Sequence, residues 1–494
     1  MRHLLRIVCL GAAGIACLLV LAVLWPPADA PLPHPADTRL IRQVRVIDVE
    51  HGVAGPPTDV LIERGLITAI GPGLFAAPGV PVLEAGGRYL VPGFWDMHTH
   101  AFQRSPQLHL PLMVANGITG TRDLMDCPGV RDALIACVED KRRWSKAAAE
   151  GRMAGPRFVE VASFHFERAD LEPGDAAILA TRYHARGLDA LKVYNRLAPA
   201  TYQRLATEAR RLGMPVVGHL PRAVSLDQAL AAGQRSFEHA HLFPRHCSDD
   251  ADAWRSGALD GEDPVRLAER MVAGFDAPRC RRAFAAMRAG GAWFVPTHVT
   301  REEDARARDP RFTGDPRLAW LDPLSRWAWN DDLAATVARY PGARGEAALQ
   351  AWFEHGLALT GAAYRAGVPV LVGTDTAIGG FRYHDELALL VRAGLSPAEV
   401  LRAATLDAAR YVRQDARHGR VAVGYAADLV VLDANPLDDI AHARDQYAVL
   451  IAGRLYDRAG LDTLLAFTHR QARAPANMAK LLWGFATSSI RSEL

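Results

Sequence analysis

The feature that most constrains this chain is a repeated alternation between short apolar runs and helical stretches. Eight runs of four to ten residues have the composition of buried strands. They are VPGFWDMHTH (91–100), GITGTRDL (117–124), RFVEVA (157–162), ALKVY (190–194), PVVGH (215–219), SFEH (236–239), WFVPTH (293–298) and PVLVGTD (369–375). Several of the intervening stretches end on a glycine, at Gly187, Gly213, Gly233 and Gly367, as helices do when the chain turns back through a left-handed residue. Eight strands alternating with helices predict a parallel sheet closed into a (β/α)8 TIM barrel, which carries functional groups at the C-terminal ends of its strands.

Polar residues do collect there. His98 and His100 stand two apart, so on a strand both imidazoles face one side. Lys192 lies in the fourth run, His219 ends the fifth, His239 ends the sixth and Asp375 ends the eighth. Each has an ordinary alternative: Lys192 as one half of an ion pair, His219 as a loop residue, Asp375 as a helix cap. His241 competes with His239. Taken together, imidazoles and a carboxylate at successive strand ends suit zinc and its neighbours.

Outside the barrel, residues 39–90 and 418–457 read as short strands. They include a hairpin turning at Arg64-Gly65 and the runs ADLVVLD (427–433) and YAVLIAGRL (447–455). They predict a small β-sandwich built from both ends of the chain. The barrel is then 91–417, with long insertions at 244–285 and 301–345. The second is rich in charge and tryptophan, as a lid over the mouth would be. Residues 458–494 form a helical extension, in which MAKLLWGF (478–485) is read as a packing helix in preference to a membrane-surface one.

The first 30 residues read as a signal or an anchor, followed by a linker at 31–38. Arg2 and Arg6 precede an uncharged run, Ile7 to Leu24, close to the length of a membrane span. Ala28-Asp-Ala30 has the small residues of a cleavage site, but Pro31 follows it. An uncleaved anchor is therefore favoured over a cleaved signal, with the body exported to the periplasm or the outer face of the inner membrane. Six cysteines are present. Cys127, Cys137, Cys247 and Cys280 lie in the body, and in an oxidising compartment the simplest pairing is Cys127–Cys137 and Cys247–Cys280. Lys+Arg 57 against Asp+Glu 55 gives no basic excess for nucleic acid.

Several motifs in order, PGFWDMHTH, GITGTRDL, the strand-four lysine, LVGTDTA, and HDELALLVRAGLSPAEVLRAATLDAAR followed by GYAADLVVLDANPLDDI, make the chain resemble the amidohydrolase superfamily, in its imidazolonepropionase-like and prolidase-like branch. The resemblance runs from about residue 40 to 457. It implies two divalent metal ions, most naturally Zn2+. His98, His100 and Asp375 would hold the more buried ion, and His219 and His239 the other. Lys192, carboxylated by carbon dioxide, would bridge them. A hydroxide between the metals would attack an amide-type C–N bond in a dipeptide (Xaa-Pro included) or a cyclic amide, with Asp375 as general base and then acid. Tyr194, Asn195, Arg196, His298 and His384 are candidates for substrate contact, and Arg122 and Asp123 for support of the ligands. The expected partner is a small molecule or dipeptide, with the membrane as a further partner if the anchor stays and a homo-oligomer as an option. Two rivals remain: a one-metal deaminase or cyclic-amide hydrolase, which needs no Lys192 bridge, and a tethered binding protein that has lost catalysis.

Overall fold

The computed structural model describes residues 21–129, 131–376 and 379–488. The fold is α/β. Strands from both ends of the chain make one sheet: β1 (Thr38–Asp48), β2 (Val53–Glu63), β3 (Leu66–Gly71), β4 (Val82–Glu84) and β5 (Tyr89–Pro92) from the first part, and β13 (Leu429–Leu432), β14 (Gln446–Ile451) and β15 (Arg454–Asp457) from the last. Hydrogen bonding runs β15-β14-β13-β5-β1-β2-β3, with β4 beside β1. It joins as one sheet what the sequence pattern suggested would be a sandwich. Ile41, Val44, Val60, Ile67, Leu90, Leu429 and Val431 form its buried core. The β2–β3 hairpin turns at Arg64 and Gly65, both at positive φ (50° and 75°), the pattern of a tight two-residue hairpin.

Between these ends lie parallel strands. One group is β6 (Phe94–Thr99), β7 (Ile118–Asp123) and β8 (Arg157–Val161). The other is β9 (Leu191–Val193), β10 (Val216–Gly218), β11 (Gln234–Glu238) and β12 (Trp293–Val295). A parallel bridge from Ala162 to Ala190 links the groups. On the far side, residues 369–375 bond to both ends of the series: Leu371 N donates to Phe294 O (2.9 Å) and Met97 N to Val372 O (2.8 Å). This eighth run has a single bridge, Val370 with Phe294, instead of the full strand expected. Thr374 explains part of this, because its N–H donates to the Asp96 carboxylate (3.0 Å) and not to a neighbouring strand. Gly187, Gly213, Gly233 and Gly367 all have positive φ, as expected of helix ends.

The first insertion is helical, with Cys247 joined to Cys280; Cys127 is joined to Cys137. The second insertion folds around its own buried cluster of Phe312, Leu318, Leu321, Trp329 and Leu333. It is fastened to the helix Arg458–Gln471 by a hydrogen bond from Trp320 Nε1 to Leu465 O (2.9 Å). Residues 7–20 of the uncharged N-terminal run lie outside the described residues. Among the described residues, no helix is long and apolar enough to cross a membrane.

Candidate metal centre

The strand ends deliver their polar residues to one place. Nitrogen or oxygen atoms of His98, His100 and Asp375 all lie within 4.8 Å of one another. His100 Nε2 is 3.0 Å from Asp375 Oδ1, and His98 Nε2 is 3.7 Å from the same oxygen. His219 Nε2 and His239 Nε2 are 2.9 Å apart. The two groups adjoin, since the His98 and His239 rings are 4.9 Å apart and His239 Nδ1 is 3.8 Å from Asp375 Oδ2. His241 stacks on His239 with ring centroids 5.5 Å apart, while His239 holds the contact with His219.

The other ring nitrogens of these histidines are engaged from behind. His98 Nδ1 donates to Glu238 Oε2 (3.1 Å), and His219 Nδ1 donates to Asn195 Oδ1 (2.9 Å). His239 Nδ1 lies 2.9 Å from Thr297 Oγ1. A histidine that donates through Nδ1 presents a bare lone pair at Nε2. His98 Nε2 is buried with no hydrogen-bond partner among the described residues. With the Nδ1 atoms protonated, the lone pairs of His219 and His239 face each other at 2.9 Å. An unpartnered buried acceptor and two opposed ones are costly alone and are relieved by cations. The donor set fits divalent metal ions.

Burial sets the charge states. Lys192 is 2 % exposed on β9. Desolvation lowers its amine to about 8, against the opposing pull of Glu238 and Asp375. Burial also lowers the His98 imidazole to about 4, and those of His219 and His239 well below the usual range. Burial alone would raise Asp375 and Glu238. Neighbouring groups overcome it: the rings of His98, His100 and His239 for Asp375, and the Arg122 guanidinium, with His98 and Lys192, for Glu238. Both carboxyls are held well below the ordinary range.

Backbone strain sits at the same strand ends. His239, Thr297 and Asp375 have φ of 74°, 46° and 50°, a region non-glycine residues seldom adopt and which clusters at functional sites. Gly218 has φ of 115°. A Cβ there would lie 2.4 Å from Val193 O and 2.8 Å from Lys192 Cδ, so only glycine leaves room for the lysine stem.

The remaining sequence candidates divide. The Tyr194 ring is 3.8 Å, centroid to centroid, from His219, at the cluster. Arg196 is an exposed partner of Glu167 (3.2 Å). Asp123 accepts from Ala101 N and Lys141 Nζ, both at 2.6 Å, and so holds the turn that follows His100. Arg122 is wholly buried, donating to Glu238 (2.8 Å), Ser236 (3.0 Å) and Tyr411 (2.9 Å). Two candidates fall elsewhere. His298 is interior, 3.0 Å from Thr360 Oγ1, because it opens the helix His298–Ala305 and turns toward Gly342–Arg365. His384 lies 3.0 Å from Asn116 O, beside the opposite, N-terminal end of β7. Sequence reading missed Glu238, Thr297 and Asp96. Glu238 alone left a signal, a carboxylate on an otherwise apolar strand next to a candidate ligand.

A cavity of about 260 Å³ opens beside His100. Phe102, Leu110, Met113, Phe158 and, from the second insertion, Trp329 give it an apolar lining.

The sequence model of the amidohydrolase family matches residues 192–456. The chain belongs to the amidohydrolase family. Curated relatives match only short segments. A dihydroorotase of Trichlorobacter lovleyi is 41% identical over 83 residues, 17% of this chain and 18% of that protein. An ochratoxinase of Aspergillus niger is 38% identical over 104 residues, 21% and 22% respectively. The chain thus spans about a fifth of the length of these relatives. Solved structures match far more of it. A bottromycin amidohydrolase is 26% identical with TM-score 0.66, over 93% of this chain and 94% of that one. A Xaa-Pro dipeptidase structure with bound methionine, at 17% identity and TM-score 0.59, covers 85% and 100%, a likeness of fold.

Proposed function

We propose that this member of the family is a metal-dependent hydrolase of an amide-type C–N bond, in a dipeptide or a cyclic amide, working outside the cytoplasm. The observation that carries the reading is the convergence of His98, His100, His219, His239 and Asp375, with bare nitrogens turned inward and a buried Lys192 among the same charges. The parallel strands and the run 369–375 are read as a (β/α)8 barrel with this cluster at its mouth. His98, His100 and Asp375 would hold one divalent ion, His219 and His239 the other, and Lys192 both. Such ions, when bound, supply an activated water and a Lewis acid for the carbonyl.

The protein's own groups do the rest. The desolvated Lys192 amine has a neutral fraction near neutral pH. Its lone pair forms a bond to the carbon of carbon dioxide, and the nitrogen loses a proton. The product is an anionic ligand where an ammonium would repel a cation. Asp375, kept ionised by the surrounding imidazoles, takes a proton from the attacking water and returns it to the leaving amine. Glu238 and Asn195 hold the imidazole tautomers that leave Nε2 free. The two disulfides support an oxidising compartment, and the uncharged run Ile7 to Leu24 supports retention at the membrane.

The test is metal content of the full-length chain, followed by amine release from a dipeptide and cyclic-amide library. About two equivalents per chain, with hydrolysis and metal both lost in Lys192→Ala, is the expected result. One equivalent with an active Lys192→Ala enzyme would replace the two-metal reading with a one-metal one. No metal and no turnover in folded protein would leave a binding protein.

A further inference from the structure

Five of the thirteen large apolar side chains left exposed among the described residues stand in two short segments: Leu21, Leu24 and Trp25, and Leu482 and Trp483. The segments adjoin. Lys480 Nζ donates to Val23 O, and Val23, Lys480 and Trp483 line one cavity with Arg104, Arg131 and Arg143. The helix Pro475–Thr487 is fixed on its inner side by Asn477, Leu481 and Gly484. At Gly484 a Cβ would lie 2.7 Å from Ala133 O. Its outer side therefore presents Leu482 and Trp483, 49% and 56% exposed, by rigid packing.

The rim carries a small cationic excess, with Arg104, Arg131, Arg143 and Lys480 against Asp132, Glu139 and Asp140. The acidic residues of the same cavity are engaged: Asp140 with Arg143 (2.6 Å), Glu139 with Arg186 (3.1 Å), and Asp132 by the Leu134 N–H (2.8 Å) and Ser488. Arg104 Nη1 is buried without a hydrogen-bond partner among the described residues. Burial first, and the Arg104 charge second, lower the Lys480 amine.

We propose that the helix Pro475–Thr487 and residues 21–25 together form a docking face for an anionic lipid surface. Three facts select a bilayer as the occupant. The exposed segment 21–25 continues directly from the uncharged run that begins at Ile7. Leucine and tryptophan of this helix beside Lys480 and the arginines of the neighbouring segments give the composition of an interfacial face. A helix of 13 residues is about 20 Å long, too short for a hydrocarbon core of about 30 Å, so it lies on the surface. The chain then meets the membrane twice, through its N-terminal run and through this helix, which fixes the body's orientation. This inference rests on the proposed retention at the membrane and not on the proposed chemistry.

The experiment places the full-length protein in vesicles of phosphatidylethanolamine and phosphatidylglycerol, with and without bromine on the acyl chains. The difference between the wild-type chain and Trp483→Phe isolates the Trp483 fluorescence. Bromine is expected to quench it by at least half, and Leu482→Asp, an exposed change that leaves the fold intact, should cut that quenching severalfold. Phosphatidylcholine in place of phosphatidylglycerol should weaken it. Trp483 fluorescence that bromine leaves untouched overturns the proposal. So does a Trp483 already shielded from acrylamide before lipid is added, which would mean that residues 1–20 or a second copy cover the face. Equal quenching in phosphatidylcholine overturns the anionic part.

Discussion

Glu238 Oε2 lies 3.1 Å from His98 Nδ1, and 140 positions of sequence separate the two residues. The carboxylate is in turn held by Arg122, and the side chains of all three are fully buried. Glu238 fixes the tautomer of His98 and keeps Nε2 directed at Asp375. Such supporting bonds are worth about 10–100-fold in metal affinity, so Glu238→Gln should weaken metal binding by that order in chelator competition. It also leaves Arg122 with a weaker partner, and urea unfolding should register a loss of up to about 3–5 kcal/mol. Unchanged metal affinity would remove Glu238 from the site.

Gly218→Ala should impair the site while preserving the fold class. The new methyl meets Val193 O and the Lys192 stem at a φ that favours glycine. A displacement of about 1 Å at a reacting centre costs about a hundredfold in rate. Activity and metal content should fall together, with circular dichroism retained. Wild-type turnover would show that Lys192 has room to spare.

Glu386 gives a pH dependence that can be assigned. Burial raises its carboxyl from 4.5 to about 8. One oxygen accepts from the Val299 N–H (2.8 Å), and the other has no hydrogen-bond partner among the described residues. The folded state therefore binds this proton more tightly than the unfolded state does. Its contribution is complete below pH 4.5 and is lost as pH rises toward 8, at up to roughly 1.4 kcal/mol per pH unit. Glu386→Gln, which cannot ionise, should flatten the decline in unfolding free energy between pH 5 and 8 by about that slope. An unchanged slope would assign the decline to other groups.

The Cys247–Cys280 bond closes a loop with a sequence separation of 33. Loop-entropy arguments put its contribution at about 4 kcal/mol. Replacing both cysteines with alanine should lower Tm clearly and make the first insertion the earliest site of proteolysis. Cleavage elsewhere first would show that the helices hold that insertion without the bond.

How much was legible in the sequence follows from how local each signal is. The Arg64-Gly65 turn was readable because two residues settle it. The strand-end histidines, Lys192 and Asp375 were readable because short parallel strands each expose one end on a common side. Glu238 was not. Regular alternation would send it and His239 to opposite faces, and the left-handed backbone at His239 lets both serve the cluster. His298 and His384 looked like site residues by position, but packing against Gly342–Arg365 and against Asn116 took them away from it.

By itself the sequence determined the alternation of strand and helix, the strands contributed by both ends and the residue types gathered at the strand ends, because these depend on periodicity and on near neighbours. Tertiary structure decided which nitrogen of each histidine is free, which side chain holds the other, and which histidines stand apart. Those depend on contacts between residues as distant as His98 and Glu238, brought together by the burial of the strands between them.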